Sequence, residues 1–132
     1  MRWLRKLFRS RPMILVVDDN DEIATLLTTF LGSQGFETSR ARDGAECLQM
    51  AAKLGPDLII LDITMPKMDG FGVLSQLKLD RANRSIPVVM CTDHSMLNDV
   101  EKCCREGAEG YILKPFELKR VLDKVRSVIE KA

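Results

Sequence analysis

Short apolar runs alternate with segments of helical periodicity along most of the chain. The runs are four to seven residues long, which fits buried strands. A weaker run beginning at Phe36 is also compatible with a strand. The predicted strands are Met13–Asp18, Phe36–Arg40, Leu58–Asp62, Ile86–Thr92 and Tyr111–Lys114.

The segments between these runs carry apolar residues at a spacing of about 3.6, as amphipathic helices do. Asn20 or Asp21 is placed to cap the first of these helices, and Gly35 ends it. Asp43 and Gly44 open the next one, and Ser95 is expected to cap a helix that ends at Gly107. Five successive strand–helix units predict an α/β fold, in which a parallel sheet is covered by helices on both faces.

Charge is distributed unevenly along the 132 residues. Residues 1–12 contain five of the 20 basic residues and no acid, so the remaining 15 basic and 19 acidic residues carry a net charge of about −4. We therefore predict a basic extension over residues 1–12 and a mildly acidic domain over residues 13–132. The sequence has neither a transmembrane stretch nor a secretory signal, and four cysteines without metal-ligand spacing indicate reduced thiols. A cytoplasmic protein is expected.

Polar residues stand where four of the predicted strands end. Asp18 and Asp19 end the first strand, and Asp62, Thr92 and Lys114 end the third, fourth and fifth. Ligands of open α/β sheets bind beyond the carboxyl ends of the strands, so these side chains are expected to converge. Clustered carboxylates repel one another, and a divalent cation relieves that repulsion. Oxygen ligands favour Mg²⁺, Mn²⁺ or Ca²⁺.

Four motifs resemble those of the receiver domains of bacterial two-component response regulators. They are Val16–Asn20, Leu61–Gly70, Pro87–Thr92 and Gly110–Phe116, and the resemblance extends over about residues 13–131. It implies a stand-alone receiver of the chemotaxis type. The implied fold is a flavodoxin-like doubly wound sheet of five parallel strands in the order 2-1-3-4-5, with five helices.

The resemblance also assigns roles to individual residues. Asp62 is implied as the phosphoacceptor, which receives a phosphoryl group from a phosphohistidine. Mg²⁺, or alternatively Mn²⁺, is implied at Asp18, Asp19, Asp62 and the backbone carbonyl of Thr64. Thr92 and Lys114 are expected to bind the phosphoryl group, and the Lys114–Pro115 peptide bond is expected to be cis.

By the same resemblance, Thr92 and Tyr111 form the switch. They act on a face made by the fourth helix, fifth strand and fifth helix of the receiver. Residues expected on this face are Met96, Leu97, Val100, Tyr111, Lys119 and Arg120. Thr64 and His94 match variable positions that modulate dephosphorylation, and Asp93 stands where a small residue is usual. We expect Asp93 to repel the incoming phosphoryl group; capping of the following helix is the alternative.

The implied partners are a sensor histidine kinase or a histidine phosphotransfer protein, and a downstream protein effector. The kinase is expected to dock near Ile23, Leu26 and Leu27, although apolar residues of this kind often belong to a core. Because no further segment follows Ala132, direct binding of nucleic acid is not expected. The kinase, the effector and the lifetime of the phosphoryl group are not readable from the sequence.

Two other functions compete with the receiver. Asp19-Asn20-Asp21 is similar to the D-x-D motif of haloacid-dehalogenase-like phosphatases, in which Asp19 would be the nucleophile. However, Glu22 stands where that family has Thr or Val, and no cap insertion is present. The second alternative is a phosphorylation-independent adaptor that acts through the N-terminal extension.

The N-terminal extension itself is predicted as a short amphipathic helix. At 100° per residue, Trp3, Leu4, Leu7 and Phe8 share one face, and the opposite face is basic. The basic residues are Arg2, Arg5, Lys6 and Arg9. Residues 2–9 are therefore a candidate for docking to a membrane surface or to a protein partner, with a solvated or self-packed tail as the alternative.

Overall fold

The computed structural model describes residues 2–65, 67–93 and 97–131. Strands and helices alternate after a first short helix. Their bounds are α1 Arg2–Phe8, β1 Met13–Val17, α2 Asp21–Ser33, β2 Glu37–Ala41, α3 Gly44–Leu54, β3 Leu58–Asp62, α4 Gly70–Leu79, β4 Val88–Asp93, α5 Leu97–Arg105, β5 Gly110–Lys114 and α6 Leu118–Lys131.

The five strands form one parallel sheet in the order β2-β1-β3-β4-β5. This confirms the predicted fold class and strand order. The helices number six among the described residues, whereas the predicted fold has five. The additional helix is α1, which the amphipathic pattern of the N-terminal extension had indicated separately.

Both faces of the sheet are buried, as the uninterrupted apolar strands predict. Alternate residues of β1 point to opposite faces. Leu15 and Val17 join a core cluster with residues of α3 and α4, and Ile14 and Val16 join another with residues of α2 and α6. The sheet is therefore a layer between two groups of helices, which leaves its edges and strand ends as the places that a ligand can reach among the described residues.

Of the five predicted strands, the third has the observed bounds, and the other four differ from the structure by one or two residues at one or both ends. The second strand begins at Glu37. The Phe36 side chain packs into the core, and the backbone N–H of Phe36 donates to the Leu31 carbonyl at 3.2 Å and not to a neighbouring strand. The fourth strand begins at Val88 because the Ile86 N–H bonds within a turn to Asn83, and Pro87 has no N–H to donate.

Side-chain caps fix where three helices begin, and with them the loops at the strand ends. Asn20, Asp43 and Asp69 each accept a hydrogen bond from a backbone N–H in the first turn of α2, α3 and α4. The predicted cap Ser95 lies outside the described residues. Gly55 ends α3 in the left-handed conformation, with φ of 56°, which glycine adopts without steric cost.

Helix α1 packs on the edge of the sheet opposite the carboxyl ends, against the end of α3. The Arg9 guanidinium donates to the carbonyls of Leu54 and Gly55 at 3.0 and 2.9 Å and pairs with Asp57. Lys6 also pairs with Asp57, at 3.3 Å. The basic side chains Lys6 and Arg9 thus face the domain, while Leu7 and Phe8 are 68% and 81% exposed.

The structure also bears on membranes and cysteines. Within the described ranges no helix is long and apolar enough to cross a bilayer. All four cysteines are free thiols, and burial raises the pKa of Cys47 and of Cys91 to about 12. The thiols of Cys47 and Cys91 are therefore neutral, as expected for cysteines used as small core residues.

Candidate functional site

Three carboxylates lie together at the carboxyl edge of the sheet. Asp18 and Asp19 directly follow β1, and Asp62 is the last residue of β3. Because β1 and β3 are neighbours in parallel register, their ends bring these side chains to one point. One oxygen of each carboxylate lies within 4.8 Å of the others. We name Asp18, Asp19 and Asp62 the acidic pocket.

Lys114, at the end of β5, reaches into the acidic pocket. Its Nζ lies 3.1 Å from Asp62 Oδ1 and 3.6 Å from Asp18 Oδ2. Asp18 and Asp62 are both buried, so their charges are desolvated and interact strongly with this ammonium. Lys114 therefore compensates part of the negative charge that the two strand ends bring together.

The ionisation of the pocket reflects this balance. Burial raises the pKa of Asp62; attraction by Lys114 opposes the shift, and repulsion by Asp18 adds to it. Burial lowers the pKa of Lys114, but the attraction of Asp62 and Asp18 prevails, so its pKa lies above the ordinary value. At neutral pH Lys114 is thus a stable cation beside a carboxylate that burial destabilises.

The loop after β3 holds Asp62 closely. Gly70 donates its N–H to the Ile63 carbonyl at 2.8 Å, and a Cβ at Gly70 would lie 2.5 Å from the Asp62 carbonyl oxygen. The Thr64 N–H points to Asp62 Oδ1 at 3.4 Å, and the Thr64 residue is exposed. The loop therefore returns tightly against the strand end, and Gly70 is required there because a side chain would collide with backbone.

Thr92 lies one strand away from Asp62, near the end of β4. The residue is 3% exposed, and its buried Oγ1 has no hydrogen-bond partner among the described residues. Buried hydroxyls normally have a partner, and one without a protein partner can bond to water, an ion or another bound group. The hydroxyl is thus available to a group that enters beside Asp62.

The donor atoms of the acidic pocket fit a hard divalent cation. Mg²⁺ is bound in proteins by one or two carboxylates together with water and phosphate oxygens. Asp18 and Asp62 offer buried oxygens and Asp19 an exposed one, which leaves a side open to water or phosphate. Three carboxylates against one Lys114 ammonium leave a negative charge that a cation would neutralise.

The other predicted site residues lie around this pocket. Asp93 is exposed at the end of β4, and Tyr111 on β5 is 37% exposed. The Lys114–Pro115 peptide bond is cis, as predicted. His94 and Met96 lie outside the described residues.

The predicted interaction face corresponds to α5, β5 and α6. Leu97 begins α5, and nothing is described of its side chain. Val100 is half-buried, and Lys119 and Arg120 are exposed on α6. Among the members of the face whose side chains the structure describes, Tyr111, Lys119 and Arg120 are exposed.

One residue of the site was not predicted from the sequence. Arg40 on β2 donates from Nε and Nη2 to the backbone carbonyl of Asp18, at 3.0 and 2.8 Å, and its Nη1 lies 2.8 Å from Asp21 Oδ1. A basic residue near a strand end gives no signal of this contact in a single sequence, because the acceptor is a backbone oxygen 22 positions away.

The family model and the curated relatives place the chain in the same family. The family model for the response regulator receiver domain matches residues 14–126. The chain is 36% identical over 120 residues to the DNA-binding dual master transcriptional regulator RpaA of Synechocystis, with 91% of this chain and 50% of RpaA covered. It is 38% identical over 117 residues to the DNA-binding response regulator MtrA of Mycolicibacterium smegmatis, covering 89% and 50%. The chain thus spans about half the length of the curated relatives it matches.

Solved structures give the same result. Chemotaxis protein CheY4 of Vibrio cholerae superposes with a TM-score of 0.85 at 29% identity, covering 90% of this chain and 99% of that one. The receiver domain of NtrX from Brucella abortus has a TM-score of 0.85 at 31% identity, with the same coverage.

The raised pKa of Asp62 leads to a stability prediction. Folding disfavours the Asp62 carboxylate, so this group's contribution to stability is present at low pH and is lost as the pH rises through the raised pKa. The asparagine side chain of Asp62→Asn cannot ionise, so this variant does not lose stability as the pH rises. We expect the variant to be more stable than the wild type at neutral pH with EDTA, and the difference to shrink below pH 3.8, the ordinary carboxyl pKa. Urea unfolding at neutral pH and below pH 3.8 measures the free energies of unfolding of the two proteins.

Asp123→Asn makes the same chemical change at an exposed position of α6 and is the control. It should leave the free energy of unfolding nearly unchanged at both pH values. An Asp62→Asn variant less stable than the wild type at neutral pH would show that the ion pair with Lys114 outweighs the burial of the charge.

Proposed function

Because the chain belongs to the response regulator receiver domain family of two-component systems, we propose that Asp62 accepts a phosphoryl group from a phosphohistidine. The observation that supports this proposal most directly is the buried Asp62 carboxylate, which is paired with Lys114 and has oxygens of Asp18 and Asp19 within 4.8 Å. We assign residues 13–132 to this domain and residues 1–12 to an extension. The chain then acts in signalling, and its only catalysis is its own phosphorylation and dephosphorylation.

In this proposal, an Asp62 oxygen attacks the phosphorus atom. The phosphorus–nitrogen bond breaks, and the leaving imidazole takes the electron pair. Lys114 pairs with the charge that develops on the phosphoryl oxygens, and the Thr92 hydroxyl donates a hydrogen bond to one of them. Fixed donors of this kind stabilise phosphoryl transfer because the reaction depends on positioning and on charge neutralisation.

Mg²⁺, or alternatively Mn²⁺, is the cofactor that fits the proposal. Asp18, Asp19 and Asp62 would hold the ion together with the backbone carbonyl of Thr64. The ion would supply neutralisation of the carboxylate and phosphoryl charges.

We propose that the signal leaves through the face of α5, β5 and α6. A phosphoryl group adds a charge of roughly −1.5 to −2 beside Thr92. Thr92 moves toward it and vacates space on the side of Tyr111, the half-exposed aromatic residue of β5. Inward rotation of Tyr111 then changes the surface next to Lys119 and Arg120, which is where a downstream protein effector binds.

The kinase or histidine phosphotransfer protein is proposed to dock beside α2. Leu26 is 48% exposed and Ile23 is half-buried, so both can contribute contacts. Leu27 is 1% exposed and belongs to the core, so its predicted docking role is withdrawn.

The alternative functions have less support. A dehalogenase-like phosphatase would require Asp19 as the nucleophile, but Asp19 is exposed, and Lys114 contacts Asp62 and Asp18 instead. The comparisons give no support for that function. RpaA and MtrA are named as DNA-binding proteins, while the predicted absence of nucleic-acid binding for this chain stays a prediction, as does its cytoplasmic location.

Phosphorylation at Asp62 can be tested without the kinase. Incubation with acetyl phosphate and Mg²⁺ should add one phosphoryl group to the wild-type protein, measured by intact mass. Asp62→Asn should gain none, because the attacking oxygen is replaced by an amide. Asp123→Asn serves as the matched control and should be labelled like the wild type. A comparable mass gain in Asp62→Asn would contradict the assignment.

We further propose that Asp93, with Thr64 and His94 as modulators, retunes this reaction. Asp93 follows Thr92 directly, and its backbone is in register with Lys114 on the neighbouring strand. Capping of α5, whose first described residue is Leu97, is the alternative role for Asp93. A fourth carboxylate near the pocket repels an incoming phosphoryl group.

Asp93→Ala should therefore be labelled faster by acetyl phosphate, with little change in thermal stability. Capping predicts the reverse pattern: unchanged labelling and a loss of roughly 0.5–2 kcal/mol. Slower labelling together with weaker Mg²⁺ binding would instead assign Asp93 to the metal. Glu109→Ala, at an exposed position before β5, controls for the loss of an acid.

For the N-terminal extension we propose contact with an anionic membrane surface. Leu7 and Phe8 are exposed, and the segment is rich in arginine, a combination typical of helices that lie in the interface. The pairing of Lys6 and Arg9 with Asp57 reduces the charge that is free to attract lipid, so binding should be weak and salt-dependent. A protein partner for the same residues is the other possibility.

Co-sedimentation with phosphatidylserine-containing vesicles tests this contact. The wild type should bind at low salt, and Leu7→Ser with Phe8→Ser should reduce binding strongly. Leu79→Ser, which alters another exposed leucine far along the chain, should have no effect. Equal binding by all three proteins would reject a membrane role for α1.

A further inference from the structure

Arg40 connects the end of β2 to the loop that carries two of the carboxylates. Its Nε and Nη2 both donate to the Asp18 carbonyl, at 3.0 and 2.8 Å, and its Nη1 pairs with Asp21 at 2.8 Å. All three donor groups thus engage one short loop. The same guanidinium holds the pKa of Asp21 below its ordinary value, mainly through the hydrogen bond.

The backbone of Asp18 is thereby held from both sides. Its N–H donates to the Ala41 carbonyl at 3.2 Å, and its carbonyl accepts from Arg40. The Asp18 carboxylate in turn accepts from the Asn20 N–H at 2.9 Å. Since the Asp18 carbonyl belongs to the peptide group that leads to Asp19, Arg40 fixes the direction in which both side chains leave the loop.

We propose that Arg40 is a positioning residue for divalent cation binding in the acidic pocket. The inference rests on the proposed function, because it assumes that Asp18 and Asp19 hold the ion. Some residues hydrogen-bond to metal ligands without contacting the ion. Removing such a residue commonly lowers metal affinity by about 10–100-fold. Arg40 touches a peptide group of the ligand pair without touching the site of the ion.

Charge and positioning predict opposite effects for the loss of Arg40. A guanidinium near a cation site repels the cation, so removing its charge should by itself tighten binding. Loss of the hydrogen bonds to the Asp18 carbonyl should weaken binding, because the loop must then be ordered by the ion itself. The sign of the change therefore distinguishes the two effects.

Three variants separate these contributions. Arg40→Gln removes both the charge and the fork of donors. Arg40→Lys keeps the charge, but an ammonium cannot reproduce the planar set of bonds to Asp18 and Asp21. Arg42→Gln is the matched control: Arg42 is exposed, two residues away, and acts on Asp21 only through its charge.

Mg²⁺ affinity should be measured by calorimetry on the unphosphorylated protein. Labelling by acetyl phosphate then gives the Mg²⁺ concentration for half-maximal rate and the rate at saturating Mg²⁺. We expect Arg40→Gln and Arg40→Lys to weaken Mg²⁺ binding about tenfold and to reach the wild-type rate at saturation. Arg42→Gln should bind Mg²⁺ as tightly as the wild type or more tightly.

Several results would overturn the inference. Unchanged or tighter Mg²⁺ binding by Arg40→Gln would reduce Arg40 to a surface ion pair, and an equal loss in Arg42→Gln would point to net charge. If Arg40→Gln fails to fold, Arg40→Lys decides alone, and wild-type affinity in it counts against positioning. A wild type that binds Mg²⁺ but is never labelled contradicts the proposed function and leaves the calorimetric test of Arg40 valid.

Discussion

The mutual repulsion of three carboxylates at one edge of the sheet is the constraint on which the site depends. Asp18 and Asp62 are buried, and an ionised carboxylate has a higher free energy when it is buried than when it is exposed to water. Lys114, at the end of β5, offsets part of this cost. One ammonium beside three carboxylates still leaves a net negative charge. A pocket in this condition favours a small cation and, after it, an anionic group. The chemistry that we propose therefore follows from an imbalance that folding creates.

The parallel sheet makes such a cluster possible. Strands that run in one direction place all their carboxyl ends at the same edge, so residues distant in sequence become neighbours. The β1–β3 pairing brings Asp18 toward Asp62, and the β3–β4 pairing sets Cys91 opposite Asp62, with Thr92 next along the strand. The close return of the loop at Gly70 then keeps the Asp62 backbone from relaxing away from its neighbours.

Much of this arrangement could be predicted from the sequence, for identifiable reasons. The third strand was placed correctly because Leu58–Leu61 is an uninterrupted apolar run that ends in a charge. The second was displaced by one residue because Phe36 is apolar yet packs outside the strand. Periodicity reports which residues are buried, and it does not report which hydrogen bonds their backbones make.

Contacts made by long polar side chains were beyond sequence reasoning. Arg40 donates to one backbone oxygen and Arg9 to two, and a sequence pattern does not identify backbone acceptors. Their acidic partners, Asp21 and Asp57, are distant in sequence, so these pairings gave no local signal either. The amphipathic pattern predicted for residues 2–9 agrees with the helix at Arg2–Phe8, but the orientation of this helix was not predicted. The basic side chains Lys6 and Arg9 engage Asp57, and the apolar residues Leu7 and Phe8 are left outside.

The position of Asp57 has a consequence for access to the protein. Asp57 precedes β3, and Asp62 ends it, so one strand joins the attachment point of α1 to the acidic pocket. Five residues at about 3.3 Å each separate the two by roughly 17 Å along the strand. The α1 segment is thus attached at the end of β3 that lies away from the acidic pocket. The proposed contact of α1 and the proposed phosphorylation of Asp62 therefore use opposite ends of β3.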